Sequence, residues 1–279
     1  MSYMIGKGDK EEIHIGIFDS GVGGLSVWRE ILKIMPYAHF SYLSDAAYCP
    51  YGPRPAEEVI ERGRVITKFL LEQGADIIVV ACNTATAAAI DTLRAEFDIP
   101  FIGMEPAIKP AVIESKSGVV GVLATKGTFG GRLYNSTLRK YASDVKVIEQ
   151  IGDGLVELVE RGKCEGSEVN ALLRRYVIPM LNEGADHIVL GCTHYPFLSE
   201  EIKKIVEEKA LIVDPAPAVA KHLLDIVSER FGVYEKRSET DLASRTDFYS
   251  TGELNVLRIL ANSIVPGIPE NRYFLVRIP

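Results

Sequence analysis

The chain has 279 residues, of which 47% are hydrophobic and 25% are charged, and its formal net charge is −7 at pH 7. This balance is typical of a soluble globular protein. The acidic net charge, with Lys and Arg scattered rather than clustered, argues against a dominant nucleic-acid-binding surface. The length predicts one large domain or two domains of moderate size.

The N-terminal residues 1–12 are polar and charged and lack the apolar core of a signal peptide. The uncharged apolar stretch 77–90 is shorter than the roughly 20 residues that a membrane helix needs. We therefore expect no membrane partner and a cytoplasmic location. Without Cys-x-x-Cys spacing, the four cysteines are expected to be free thiols in a reducing compartment: Cys49, Cys82, Cys164 and Cys192.

Strand-like and helix-like segments alternate along the first half of the chain. Short apolar runs predict buried parallel strands at 13–18, 40–43, 77–80 and 101–104. Helical segments lie between them at 25–35, 55–73 and 84–97, and Pro55 and Gly74 are typical of the two ends of the second helix. Alternation of this kind predicts an open parallel sheet with helices on both faces.

The second half continues the alternation. Strands are predicted at 119–123, 145–148, 187–190 and 211–213, and helices at 128–141, 152–161, 167–183 and 197–208. The tail adds helices at 216–231 and 253–263, a strand at 248–250 and an extended end, and we expect it to pack back on the first lobe. The predicted fold class is α/β: two similar α/β lobes, with the active site in the cleft between them. Residues 1–104 plus 216–279 form the predicted first lobe, and 105–215 the second.

The two halves also repeat one another. Residues 74–84 and 184–194 both read as a helix end, a Gly turn, an apolar strand and a cysteine followed by polar residues. Residues 15–20 resemble 120–125 in the same order along the chain. Duplication of one lobe explains both pairs better than chance likeness between strand–turn units, and the set is two copies rather than a solenoid. Two thiols facing one pocket could remove a proton from one face of a carbon and return one to the other.

A Gly-rich turn at 19–24, Asp-Ser-Gly-Val-Gly-Gly, follows the first strand. Such a turn before a helix can present backbone N–H groups to an anion. A dinucleotide fingerprint with Asp45 as the ribose-binding acid is a weaker alternative, because Ser26 stands where the third glycine would be needed. A tight turn would explain the glycines but not the choice of Asp19 and Ser20.

Each thiol of the repeat, Cys82 and Cys192, stands where a helix begins, a position that lowers a cysteine pKa. Either cysteine alone could equally be a buried core residue, but the matched pair favours function. Zinc is disfavoured because Cys-x-His supplies too few ligands at the usual spacing. The neighbouring side chains could bind a carboxylate or assist proton movement: Asn83, Thr84, Thr193 and His194. Cys49 and Cys164 lack such neighbours in sequence and are predicted to be structural, and the segment 49–54 could be a pocket wall or only a loop.

Taken together, four motifs carry a family resemblance: Asp-Ser-Gly-Val-Gly-Gly at 19–24, Pro-Tyr-Gly at 50–52, Ala-Cys-Asn-Thr-Ala-Thr at 81–86 and Gly-Cys-Thr-His-Tyr-Pro at 191–196. In this order and spacing the chain resembles the bacterial glutamate racemases, of the cofactor-independent aspartate/glutamate racemase family, over nearly its whole length. The resemblance implies interconversion of L- and D-glutamate without cofactor or metal, supply of D-glutamate for peptidoglycan, two α/β lobes around the active site, and a homodimer.

The resemblance also implies residue roles. Cys82 and Cys192 would be the acid/base pair, the first acting on D-glutamate and the second on L-glutamate, assisted by Asp19, His194 and Glu160. The implied substrate contacts are Asp19, Ser20, Tyr51, Gly52, Asn83, Thr84, Thr125, Thr128, Thr193 and His194. Cys49 departs from the family pattern, in which an apolar, often aromatic residue precedes Pro-Tyr-Gly.

Two alternatives remain open at this point. A relative with the same thiol pair could act on aspartate or hydantoins. A protein of another class could bind glutamate as a sensor, with thiols that line the cleft without catalysis.

Overall fold

The computed structural model describes residues 12–232 and 242–279. Residues 1–11, and with them most of the polar N-terminal segment, lie outside the described part. Within the described residues, ten strands form two parallel sheets: β1 (His14–Asp19), β2 (His39–Ser44), β3 (Ile77–Val80), β4 (Phe101–Gly103), β5 (Val119–Ala124), β6 (Lys146–Ile151), β7 (His187–Gly191), β8 (Leu211–Val213), β9 (Thr246–Ser250) and β10 (Tyr273–Leu275).

Helices connect most of these strands and cover the sheets. They are α1 (Leu25–Ile34), α2 (Ala56–Glu72), α3 (Asn83–Glu96), α4 (Ile108–Glu114), α5 (Lys126–Phe129), α6 (Arg132–Tyr141), α7 (Leu155–Glu160), α8 (Ser167–Asn182), α9 (Ser199–Val206), α10 (Ala216–Phe231) and α11 (Asn255–Ile264). The predicted α/β fold class is confirmed. In the described part of the chain, no helix combines the length and the apolar character needed to cross a membrane.

The repeat seen in the sequence is also a repeat of topology. The first sheet has the order β10-β9-β2-β1-β3-β4 and the second has the order β6-β5-β7-β8. Thus β2-β1-β3-β4 corresponds to β6-β5-β7-β8, with β1 and β5 in equivalent central positions. In register, Phe18 pairs with Val80 and Leu123 pairs with Leu190. Cys82 and Cys192 therefore follow equivalent strands at the carboxyl edges of their sheets. We call the elements of the six-stranded sheet the first lobe and those of the four-stranded sheet the second lobe.

The C-terminal tail adds two strands to the first sheet. β9 pairs with β2 and β10 pairs with β9, both in parallel. Phe248 of β9 meets Trp28 of α1 edge-to-face, with ring centroids 5.2 Å apart, and stacks on Tyr273 of β10. All three aromatic rings are buried. This apolar contact explains why the tail packs on the first lobe, as expected from the sequence.

Three local predictions were wrong. The helix predicted at 128–141 is divided into α5 and α6, because Gly130 and Gly131 interrupt it. The helix predicted at 197–208 begins earlier with a 3-10 turn, Tyr195–Leu198, before α9. Helix α4 was missed because Pro110 lies in it, yet Pro110 occupies its first turn, where no intrahelical N–H bond is lost.

In both copies of the repeat, an aspartate binds a neighbouring segment: Asp76 directly before β3 and Asp186 directly before β7. Gly74 and Gly184 adopt φ of +90° and +89°, which ends helices α2 and α8. In the first copy, Asp76 accepts the backbone N–H of His14 at 3.0 Å. In the second copy, Asp186 accepts bonds from the segment that leads into β5 and from a histidine: Ser115 Oγ at 2.7 Å, Lys116 N at 2.6 Å, Ser117 N at 2.8 Å and His187 Nδ1 at 2.8 Å.

Replacing Asp186 with alanine should destabilise the protein by about 2–3 kcal/mol, because four hydrogen-bond donors would lose their charged acceptor. Burial raises the pKa of Asp186, but hydrogen bonds from His187, Ser117, Ser115 and Lys116 outweigh it and hold the pKa well below its usual range. A lowered folded-state pKa means stability that is present above the unfolded pKa of about 4 and lost as the pH falls below it. In urea unfolding, the difference in the free energy of unfolding between wild type and Asp186→Ala should thus be smaller at pH 3 than at pH 7. A difference in unfolding free energy that does not change with pH would show that the charged form of Asp186 does not provide this stability.

Candidate functional site

The carboxyl ends of β1, β3, β5 and β7 converge on a small pocket between the lobes. Its walls come from both lobes: Ser20, Pro50, Tyr51, Gly52, Cys82, Asn83, Thr84, Thr125, Val156, Cys192, Thr193 and His194. The free volume is about 10 Å³, which is room for about one water molecule. Most of the residues predicted from the sequence line this pocket. Asp19, Thr128 and Glu160 lie behind the wall, and Pro50 and Val156 are additional wall residues.

Cys82 stands between β3 and α3 and caps the helix. Its Sγ accepts the backbone N–H of Ala85 at 3.4 Å and lies 4.0 Å from Ser20 Oγ. The expectation of a lowered pKa is wrong for this thiol. Burial, followed by the nearby Asp19 carboxyl, raises the pKa of Cys82 well above its ordinary value, and the helix N–H opposes this only in part. Cys82 is therefore a neutral thiol at neutral pH.

Cys192 has a different environment. Its Sγ lies 3.7 Å from Nδ1 of His194, whose Nε2 is 2.6 Å from Oε1 of Glu160. Burial lowers the pKa of His194, but hydrogen bonds to Cys192, Cys49 and Glu160 outweigh it and raise the pKa well above its ordinary value. A buried imidazolium thus stands beside Cys192, while a carboxyl stands near Cys82.

Glu160 is the end of α7, a segment far in sequence from the histidine it supports. Burial raises its pKa, but the bonds from His194 and from the backbone N–H of Val22, at 2.7 Å, lower it overall. Val22 belongs to the first lobe, so Glu160 joins the two lobes as well as orienting His194. The sequence identified Glu160 only through the family resemblance, because nothing local in Leu-Val-Glu indicates a site.

The Gly-rich turn serves Asp19 rather than a ligand. Asp19 is fully buried, and its Oδ2 accepts the N–H groups of Gly21 and Gly24 at 3.2 and 3.0 Å. Its Oδ1 lies 3.4 Å from the hydroxyl of Thr193. The prediction that this turn offers its N–H groups to an external anion is wrong for Gly21, Val22 and Gly24, because Asp19 and Glu160 already bind these N–H groups. Asp19 therefore contacts the pocket through its neighbours.

Three threonine hydroxyls form a chain across the cleft. Thr84 Oγ1 of the first lobe is 2.8 Å from Thr125 Oγ1 of the second, which is 3.0 Å from Thr128 Oγ1. Thr128 in turn points to the carbonyl of Gly191 at 3.5 Å. Thr84 and Thr125 face the pocket, whereas Thr128 holds Thr125 in place from behind.

Asn83 opens α3 and carries an unused acceptor. Its Nδ2 approaches the Met104 carbonyl at 3.5 Å, while Oδ1 is buried and meets no hydrogen-bond partner among the described residues. A buried amide oxygen without a partner is unfavourable. It therefore marks a place where a donor group of a ligand would be accepted.

The segment 49–54 forms a wall of the pocket, which decides between the two interpretations of the sequence. Tyr51 is buried, and its hydroxyl donates to Asp45 Oδ2 at 2.5 Å. Asp45 is held by Arg62 through two bonds of 2.9 Å. The dinucleotide alternative for Asp45 is thereby excluded, since both of its oxygens bind groups of the protein. Sequence reasoning missed Arg62, because its partner lies on another element.

Cys49, which the sequence predicted to be structural, lies beside two residues of the candidate site. Its thiol, Glu160 and a ring nitrogen of His194 all lie within 4.8 Å of one another. Burial raises the pKa of Cys49 to about 11, against the effect of its hydrogen bond to His194. Cys164 is half-buried and packs against the core. The partners of Cys49 are more than a hundred residues away in sequence, so its own motif could not indicate them.

Similar proteins are known for nearly the whole chain. The family model for Asp/Glu/Hydantoin racemase matches residues 29–223. A glutamate racemase of Roseiflexus sp. (strain RS-1) is 48% identical over 223 residues, or 80% of this chain and 82% of that protein. A solved glutamate racemase isoform of Bacillus anthracis has a TM-score of 0.83 and 31% identity, and the match covers 97% of this chain and 99% of that one. The glutamate racemase of Francisella tularensis, solved in complex with D-glutamate, has a TM-score of 0.79 and 26% identity, with 96% and 98% covered.

Proposed function

Because the chain belongs to the Asp/Glu/hydantoin racemase family, we propose that it interconverts L- and D-glutamate by moving a proton between Cys82 and Cys192. The resemblance that the sequence motifs suggested is confirmed, and the protein is an isomerase. The relatives named above are glutamate racemases, which favours glutamate over aspartate or hydantoins as the substrate.

One observation carries the two-thiol mechanism. Cys82 and Cys192 follow equivalent strands of two similar lobes, and both line the same pocket. A substrate carbon held between them has one thiol on each face. A thiolate removes the Cα proton from one face, the electron pair remains on the carbanion, and the thiol on the other face supplies a new proton. Each turnover inverts the carbon and exchanges the roles of the two cysteines.

The two thiols are in electrostatically unequal surroundings. The His194 imidazolium lies 3.7 Å from the sulfur of Cys192, whereas the Asp19 carboxyl acts on Cys82. A neutral thiol is therefore favoured at Cys82. A coupled pair that holds one thiolate and one thiol is the state that two-base racemisation requires. The family resemblance implies that Cys192 is the member of the pair that acts on L-glutamate.

The pocket is built to bind carboxylates through neutral donors. Among the described residues that line it, the cation is His194, and the other polar groups are hydroxyls, an amide and backbone N–H groups. Ser20, Thr84, Thr125 and Thr193 are placed to donate to the carboxylates, on which charge accumulates when the Cα proton leaves. With Tyr51 and Gly52 as wall, the arrangement fixes the Cα between the thiols.

The buried Oδ1 of Asn83, which has no hydrogen-bond partner among the described residues, is placed to accept a hydrogen bond from the ammonium group of the substrate. Replacing Asn83 with alanine should raise KM for both enantiomers about 10- to 100-fold, because a hydrogen bond to a charged group contributes roughly 1.5–3 kcal/mol. Racemisation kinetics in both directions measure this effect, with Asn135→Ala as a control, since Asn135 binds backbone carbonyls of the second lobe instead. An unchanged KM in the Asn83 variant would remove Asn83 from the substrate contacts.

The proposal is tested by circular dichroism and mass spectrometry of purified protein incubated in deuterated buffer with L-glutamate, D-glutamate, L-aspartate or a hydantoin. We expect loss of the glutamate signal from either enantiomer, with deuterium at Cα, and far slower turnover of aspartate. Aspartate or a hydantoin turned over faster than glutamate would assign the chain to another member of the family. Glutamate binding without deuterium incorporation would show a non-catalytic binding protein.

Because the pocket has room for about one water molecule, we infer that the lobes move apart to admit a substrate. We further propose that the enzyme acts in the cytoplasm as a homodimer without cofactor or metal, and supplies D-glutamate for peptidoglycan.

The lobe boundaries, 1–104 plus 216–279 and 105–215, are proposed on the division of the strands between the two sheets. Sedimentation analysis tests the dimer, and limited proteolysis tests the boundaries.

A further inference from the structure

We propose that Cys49, Glu160 and His194 form a binding site for Zn²⁺, and that the bound ion inhibits the enzyme by fastening its two lobes together. The three residues offer a thiol, a carboxylate and an imidazole, which are the three ligand types that zinc takes in proteins. Their ligand atoms lie within 4.8 Å of one another, so the cluster has both the chemistry and the compactness of a metal site.

Only a small rearrangement is needed to admit the ion. Bond lengths of about 2.0–2.3 Å place the ligands of a tetrahedral zinc roughly 3.3–3.8 Å apart. Glu160 and His194 are now 2.6 Å apart and joined by a hydrogen bond, which the cation would replace. The thiol of Cys49 and the imidazolium of His194 would each lose a proton to solvent on binding, because zinc binds a thiolate and a neutral imidazole.

A second cavity gives the ion a path to this cluster. It has a volume of about 330 Å³, and its walls include Cys49 and Glu160. Two further acids, Glu157 and Glu253, line it against one cation, Arg161. An acidic cavity raises the local concentration of cations. Water in the same cavity could fill the fourth coordination position, which three protein ligands leave open.

The position of the ligands explains why the ion would inhibit. Cys49 follows β2 of the first lobe, whereas His194 follows β7 and Glu160 ends α7, both in the second lobe. Metal bonds to all three would tie together lobes that must separate to admit a substrate. The ion would also immobilise His194, which stands beside Cys192.

Metal binding is tested first without reference to turnover. Titration of the full chain with Co²⁺, a spectroscopic substitute for Zn²⁺, should give one ion per chain and a thiolate-to-metal charge-transfer band. The double variant Cys82→Ser/Cys192→Ser should keep this band, and so should Cys164→Ala, the matched control for a half-buried cysteine. Cys49→Ala should lose the band and bind at least about 100-fold more weakly, since loss of even an outer partner of a metal ligand costs about 10- to 100-fold.

Inhibition is the second test, and it rests on the proposed racemase activity. Stoichiometric Zn²⁺ should stop glutamate racemisation by wild type and by Cys164→Ala, and a chelator should restore it. Cys49→Ala should keep its own zinc-free rate under the same conditions. The inference fails if Cys49→Ala binds Co²⁺ as wild type does, or if the Cys82→Ser/Cys192→Ser variant loses the band, because the ion would then sit on the substrate-pocket thiols. If the protein has no racemase activity, the proposed function fails, but the Co²⁺ titration still decides whether Cys49, Glu160 and His194 bind a metal ion.

Discussion

Replacing either Cys82 or Cys192 with alanine should lower racemisation at least about 10³-fold in both directions, because the reaction needs an acid and a base on opposite faces of one carbon. The two losses should not add in the double variant, since each cysteine is useless to racemisation without the other. Circular dichroism at the substrate chirality band, with a coupled assay for small residual rates, measures the effect.

The fold should survive both substitutions. Each thiol is buried, and alanine removes one sulfur from a pocket wall rather than from the centre of a lobe. Cys164→Ala provides the control for loss of a thiol away from the pocket. Near-normal turnover by either single variant, with unchanged thermal unfolding, would show that one base is enough and would contradict the mechanism.

Replacing Gly23 with alanine should lower kcat/KM about 10²-fold without any change in a pocket residue. An added Cβ would lie 2.3 Å from Nδ1 and 2.6 Å from Cε1 of His194, closer than such atoms can approach. His194 is buried and bonded to Glu160, so its ring must shift rather than turn to solvent. A misplacement of about 1 Å costs on the order of 10²-fold in rate.

Gly130→Ala is the matched control for this variant. Gly130 has a right-handed φ of −71°, and the nearest atom to its added Cβ is 3.7 Å away. We expect its kinetics to stay close to wild type. If Gly23→Ala retains wild-type kinetics, His194 does not need its present position, and its proposed role beside Cys192 is wrong.

The sequence predicted the strands that carry the site because their signals are local. Four to six buried apolar residues followed by a polar residue identify β1, β3, β5 and β7, and the repeat pairs Cys82 with Cys192. The repeat of residues 74–84 in residues 184–194 also led to the prediction that two similar lobes place both thiols at one pocket. Helix predictions failed at Gly130–Gly131, at Tyr195–Leu198 and at Pro110, where turn chemistry competes with helix propensity. The helix predicted from residue 152 begins at Leu155, after Gly154 at φ +83°.

Partners from distant parts of the chain could not be predicted in this way. The pKa of Cys82 was predicted in the wrong direction, because burial and Asp19 outweigh the helix start. The environment of Cys49 depends on Glu160 and His194, which meet it only when the lobes come together. A local pattern indicates which side chains are available, whereas charge and burial at the site depend on tertiary contacts.

The most direct test of the two-thiol mechanism uses a glutamate analogue that expels a leaving group after one proton abstraction, so that a single base suffices. Cys→Ser keeps a weak proton donor but makes a much poorer base. Cys82→Ser should lose elimination from the D-analogue and keep it with the L-analogue, and Cys192→Ser should do the reverse. If both variants lose elimination from both enantiomers equally, the two cysteines do not act on opposite faces of the carbon, and the proposed mechanism is wrong.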